Sequence, residues 1–183
     1  RGLGDVYKRQ VHNYAKTIAI LEKVNEYDLF NLESAAILHD IGIKVCEKKY
    51  NSTEGKLQEK EGPAVAREIL ENLDYKNINR ILFLIGHHHT YINVSGLDYQ
   101  ILIEADLLVN FEEENTSKED IKKNMESIKI YVRGHNLYDI FYGRFRKNET
   151  EILKSYIEEA PRDTFKDILD AIDRFVYFEN RKK

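Results

Sequence analysis

The sequence predicts a single all-α domain, a helical bundle with an aromatic-rich helical C-terminal region. Three observations carry this. Apolar residues recur at helical spacing through most of 11–111, cap and stop residues stand where those runs begin and end, and no internal repeat, low-complexity tract or linker divides the chain. At 183 residues the chain is long enough for a real core, since a ~150-residue domain buries roughly 70% of its extended surface.

The first helix is predicted over about 11 to 26, where Val11, Tyr14, Ile18 and Leu21 form an apolar stripe and Ala15 and Ala19 allow close packing beside it. Residues 1 to 10 (RGLGDVYKRQ) are set aside as a non-native or disordered leader, because they resemble translated adapter tails and need not be a natural start. Asp28 or Asn31 can cap a second helix running through Leu38, and Gly42 suits a left-handed helix closure. Residues 43 to 61 carry many charges and little periodicity, and read as a loop able to order over a site.

Gly62-Pro63 is expected to open a third helix, with Val65, Ile69 and Leu73 facing inward. Asn77 is expected to cap a fourth, burying Ile78, Ile81, Leu82 and Ile85, and Asp98 a fifth running to about Phe111. Thr116-Ser117-Lys118-Glu119 has the pattern of a capping box for a sixth, 117 to 132. Half of the 20 aromatic residues lie between Tyr131 and Phe178. The segment 138–145, a helix near 151–159 and another after Pro161 should therefore pack as an aromatic cap.

Composition excludes several classes. A net charge of -4 gives no basic field, so no nucleic-acid partner is expected. Cys46 is the single cysteine, which excludes an intramolecular disulfide framework and a multi-thiolate zinc site, and a reducing cytoplasm is the expected location. No run of about 18 apolar residues stands in the sequence, and no leader with a cleavage site, so neither a membrane span nor a signal peptide is expected.

The chemistry gathers around His39-Asp40, two metal-ligand side chains at the end of the apolar run Ala35-Ala36-Ile37-Leu38. His12 lies 27 residues upstream and the triplet His87-His88-His89 downstream. Asp106 sits in ILIEADLLV at a core-facing phase, a costly place for a carboxylate unless it is paired or metal-bound. Consecutive helical residues point roughly 100° apart, so one or two of the three histidines can approach one ion. The pair and the triplet both fall at predicted helix C-termini, where free carbonyls favour a cation. Imidazole and carboxylate without thiolate suit Fe, Mn, Zn, Co or Ni, with Mg at a site that keeps more of its water.

His12, His39-Asp40 and Asp106 together resemble the HD-domain superfamily of metal-dependent phosphohydrolases, whose pattern is a first His, an adjacent His-Asp and a distal Asp. The resemblance covers about 11–111, the core, with 112–183 as a helical extension. KLQEKEGPAVAREIL, ILFLIGHHHTY and DYQILIEADLLVN look like bacterial members with ligands for a second metal. The resemblance then implies one or two ions held by His12, His39, Asp40 and Asp106, with Glu61, His87 and His88 completing a second set. Glu61 stands where many dinuclear members have His, and Ile43 where many have Lys after HDIG, with Lys44 and Lys56 as substitutes.

The implied activity is hydrolysis of a phosphate ester or anhydride, of a nucleotide or related small molecule, by metal-activated water. Asp40 would both ligate the metal and orient that water, and a histidine of the triplet, His87, His88 or His89, with His88 the first candidate, would donate a proton to the leaving group. Lys56, His89 and Arg144 are candidates for substrate contact, and Tyr91, Tyr138 or Phe141 for stacking on a base. Two alternatives stand beside this: a di-iron oxygenase on the same kind of fold, and a non-catalytic nucleotide-binding regulatory module. The sequence specifies neither substrate nor oligomeric state.

Overall fold

The computed structural model describes residues 3 to 114 together with 116, 117 and 120. These residues are helical, with no strand among them: α1 (Leu3–Leu21), α2 (Glu26–Leu38), α3 (Ile43–Tyr50), α4 (Gly55–Asn72), α5 (Asn79–Ile85) and α6 (Leu97–Glu113). The body of the predicted sixth helix and the aromatic C-terminal region lie outside the described residues. At the start of that sixth helix the Ser117 hydroxyl accepts the Asp120 N–H at 3.1 Å, as a capping residue does.

α2 is the centre of the bundle. Every residue from Asn31 to Leu38 is buried, the polar Asn31, Glu33 and Ser34 included, and α1, α5 and α6 pack around it. Asn25 caps it by accepting the Asp28 N–H at 3.0 Å. Asp28 and Asn31, the expected caps, lie inside the helix instead. α1 buries Val11 and Ile18 of the predicted stripe, with Ala15 and Ala19 beside them, against α2 and α6, while Tyr14 is half-buried. It extends back to Leu3, so that residues 3–10 are helical, and closes at Lys23, which adopts a left-handed φ of 57°. A lysine gives no sequence signal of such a stop, which is why the expected end at Glu26 is too late.

The expected loop over 43–61 is two helices joined by a short turn. α3 covers Ile43 to Tyr50 around buried Cys46 and ends at Asn51, whose φ of 51° is left-handed. α4 begins at Gly55 and continues through Pro63 rather than starting there. Its buried face is Gln58, Glu59, Gly62, Val65, Ala66, Ile69 and Leu70, helical in spacing throughout but polar in its first part. Apolar periodicity cannot reveal a polar buried face, and Pro63, a residue pre-organised for a first helical position, sits here inside the helix instead.

Gly42 has φ -74°, not the left-handed conformation expected of it. Close approach explains the glycine better: a Cβ there would lie 2.8 Å from the Gly62 nitrogen and 3.0 Å from its Cα. Asn77 likewise is no cap; it takes a left-handed φ of 59° in the turn before α5, a conformation Asn tolerates. Asp98 lies within the first turn of α6 and binds Arg80 through both oxygens, at 2.5 and 2.7 Å. Leu102, Ile103, Asp106 and Val109 are all buried on α6, as its helical phase predicts.

Candidate metal centre

His39 is the C-cap residue of α2 and is completely buried. Its Nδ1–H donates to the Ala36 carbonyl at 2.8 Å, a bond within its own helix that leaves Nε2 facing outward from the helix end. That Nε2 lies 3.3 Å from Asp40 Oδ2 and 3.4 Å from Asp106 Oδ1, aligned with neither for a hydrogen bond. Burial opposes charge on the ring, but the Asp40 and Asp106 carboxylates outweigh it and push the imidazolium up to about 10. The pocket thus favours positive charge at this point. Burial would raise both carboxylates, yet His39, helped by His88 at Asp40 and by Tyr7 at Asp106, holds them below their usual range.

The triplet follows α5, and the structure separates its three rings. His88 is buried, donates Nδ1–H to the Ile85 carbonyl at 2.7 Å and brings Nε2 to 3.7 Å from Asp40 Oδ1. His89 packs beside it, ring centroids 4.1 Å apart. Burial, and then His88, lower the His89 pKa, which keeps that ring neutral at pH 7. His87 turns elsewhere: it donates to the Phe83 carbonyl at 2.7 Å and stacks on the Phe83 ring at 4.2 Å.

Asp40, His88 and His89 could hold a metal ion, since each offers one ligand atom and these atoms lie within 4.8 Å of one another. The chemistry of the donors fits. The Nε2 atoms of His39, His88 and His89 are all buried with no hydrogen-bond partner, an arrangement that costs about 1–3 kcal/mol per atom unless something else satisfies them. A cation suits imidazole nitrogens and carboxylates gathered in this way.

The other expected site residues fall as follows. Asp106 joins His39 and also accepts from Tyr7 Oη at 2.6 Å. His12 Nε2 meets Glu33 at 3.0 Å, where Lys16 also binds Glu33. Glu61, expected to supply a ligand, is engaged by Lys49 at 3.0 Å and by the Tyr50 hydroxyl at 2.6 Å; its place in the sequence suggested a ligand, but α3 offers it these closer partners. Lys56 has its charge paired with Glu59 at 2.8 Å and its ammonium bonded to Thr90. Arg144, Tyr138 and Phe141 lie outside the described residues.

Sequence reasoning passed over Glu33, Glu59 and Glu104. Glu33 and Glu104 stand inside apolar runs, the same signal that singled out Asp106, and both are buried. Glu59 carries no such signal, because its neighbours on the buried face of α4, Gln58 and Gly62, are not apolar. Comparison with protein-family models, with curated proteins and with solved structures finds no match to this chain. Its functional reading therefore rests on its own residues.

Proposed function

We propose that this chain is a metal-dependent phosphohydrolase of the HD type, acting on a phosphate ester or anhydride of a nucleotide or related small molecule. The observation that carries the proposal is Asp40. One of its oxygens faces His39 and the other faces His88, so a single carboxylate addresses two sets of donors at once. Asp40, His88 and His89 would hold one divalent cation, and His39, Asp106 and the other oxygen of Asp40 a second. His12 joins that second set only by leaving Glu33.

A bound transition metal or Mg would supply Lewis acidity, activating water and neutralising charge on phosphoryl oxygens. The protein's own part is preorganisation. Backbone carbonyls hold the Nδ1–H of His39 and of His88 and so orient both rings with Nε2 toward the site, where His39 would give up its Nε2 proton in favour of a bound cation. His88 acts as a ligand in this reading rather than as the proton donor expected from the sequence, because its only other ring nitrogen is committed to Ile85. Lys56 can reach a phosphate only by releasing Glu59, which its 65% exposed side chain has room to do.

The test is phosphate release over a panel of nucleotides, dinucleotides and sugar phosphates in the presence of Mn or Co. Wild type should release phosphate from at least one class, and Asp40→Ala should lose that activity by 100-fold or more, roughly the scale expected for a metal-bound group. Equal turnover by the two proteins would remove the proposal. Consumption of O2 by an iron-loaded protein without phosphate release would favour the oxygenase alternative.

A further inference from the structure

The His89 imidazole is held from outside its own segment, and the residues that hold it belong to the first turns of α4. We infer that Gly55 and Glu59 are positioning residues that set His89 as a metal ligand, Gly55 as the floor under the ring and Glu59 as the latch on its backbone. The inference rests on the metal-centre reading given above and deepens it.

Gly55 and His89 touch so closely that no side chain fits between them. A Cβ at 55 would lie 2.6 Å from His89 Cγ, 2.7 Å from Cδ2 and 3.0 Å from Cβ. Those atoms include the root of the side chain, so the ring cannot slip aside by a small rotation of its tip and the imidazole must leave its position. Glycine at the first position of α4 gives the helix no propensity advantage. Room for His89 accounts for it.

Glu59, one turn further along the same helix, fixes the main chain that carries the ring. Its Oε1 accepts the His89 N–H at 3.1 Å and the Thr90 hydroxyl at 2.7 Å, while Oε2 accepts Lys56 Nζ at 2.8 Å. From the opposite side, the Tyr99 hydroxyl of α6 meets the carbonyls of His87 at 2.8 Å and Thr90 at 2.6 Å. Residues 87 to 90 are therefore gripped by two helices, and of the two it is α4 that touches the His89 ring itself, through Gly55. The Nε2 of His89 is buried without a hydrogen-bond partner, so no hydrogen bond inside the turn aims it, and the ring rests there on His88 alone. The aim comes from α4.

Cobalt(II) titration, read by its visible absorption and by affinity, separates positioning from mere stabilisation. Gly55→Ala and Glu59→Ala should each weaken Co binding about tenfold, as loss of an outer partner of a ligand does, and change the spectrum in the way His89→Ala does. In a His89→Ala background neither should have a further effect. Glu59→Gln, which keeps an oxygen for the His89 and Thr90 donors, should bind within about threefold of wild type. Circular dichroism of the metal-free proteins checks that each variant is folded. Wild-type affinity and spectrum in both Gly55→Ala and Glu59→Ala, or an equal loss with His89 already removed, would overturn the inference. Failure of the wild type to bind Co at all would overturn the metal-centre reading and this inference with it.

Discussion

Asp40 concentrates the chemistry because its two oxygens are engaged from different helices, one by the end of α2 and one by the turn after α5. Replacement by Asn keeps the size and one acceptor but removes the charge that balances two imidazoles. Asp40→Asn should reduce affinity for Mn or Zn by at least tenfold in a calorimetric titration, and an unchanged affinity would place the cation elsewhere. Glu104 makes a second prediction at this scale. Burial pushes its carboxyl up to about 8, against the Gln100 side chain, with the charge of Glu22 adding to the rise. A raised acid favours folding while it is protonated, so its contribution is complete below about pH 4.5 and is lost as pH rises through about 8. Glu104→Gln should match wild type in urea unfolding near pH 4.5 and exceed it above pH 8 by on the order of a few kcal/mol. Equal stability at both pH values would show that the carboxyl is relieved by another route. Of these residues, His39, Asp40 and Asp106 were legible because their types and phases conflict with an apolar core. The division of labour in the triplet was not, since which ring turns to Phe83 and which to Asp40 depends on a turn after α5 that spacing does not encode.

The helices are legible wherever their buried faces are apolar. α2, α5 and α6 appear close to their expected extents for that reason, and α1 does so along its apolar stripe. α4 shows the opposite case: its first buried positions are Gln58, Glu59 and Gly62, so the same helical period is written in residues that periodicity ignores. α3 is short and one of its residues, Cys46, is buried, too little for a pattern. The α3 start and α4 meet at Gly42 and Gly62, backbone against backbone, where a methyl group has only 2.8 Å. Gly42→Ala should therefore destabilise the fold by about 1–3 kcal/mol in urea unfolding, the usual cost of overpacking, and should also displace the adjoining His39-Asp40 pair. A variant as stable as wild type would mean that the two segments part without cost.

At the scale of the whole molecule, one end of a central helix collects what the chain keeps far apart in sequence. α2 ends at His39, α5 delivers His88 and His89, and α6 supplies Asp106 at mid-length. No helix among the described residues is long and apolar enough to cross a membrane. A cation held between three helices binds the folded chain and not the unfolded one. At a free concentration of a hundred times Kd it should stabilise by about 2.7 kcal/mol, a rise in Tm of roughly 5–10 °C for a chain of this size, reversed by EDTA. No such shift with Mn, Co or Zn would argue against a site that ties α2, α5 and α6. The most direct test of the central claim is elemental analysis of protein purified without chelators, wild type beside Asp40→Ala. The wild type should carry one or two equivalents of a divalent transition metal per chain, and the variant should lose nearly all of it. A metal-free wild type, or a variant that keeps its full complement, would contradict it.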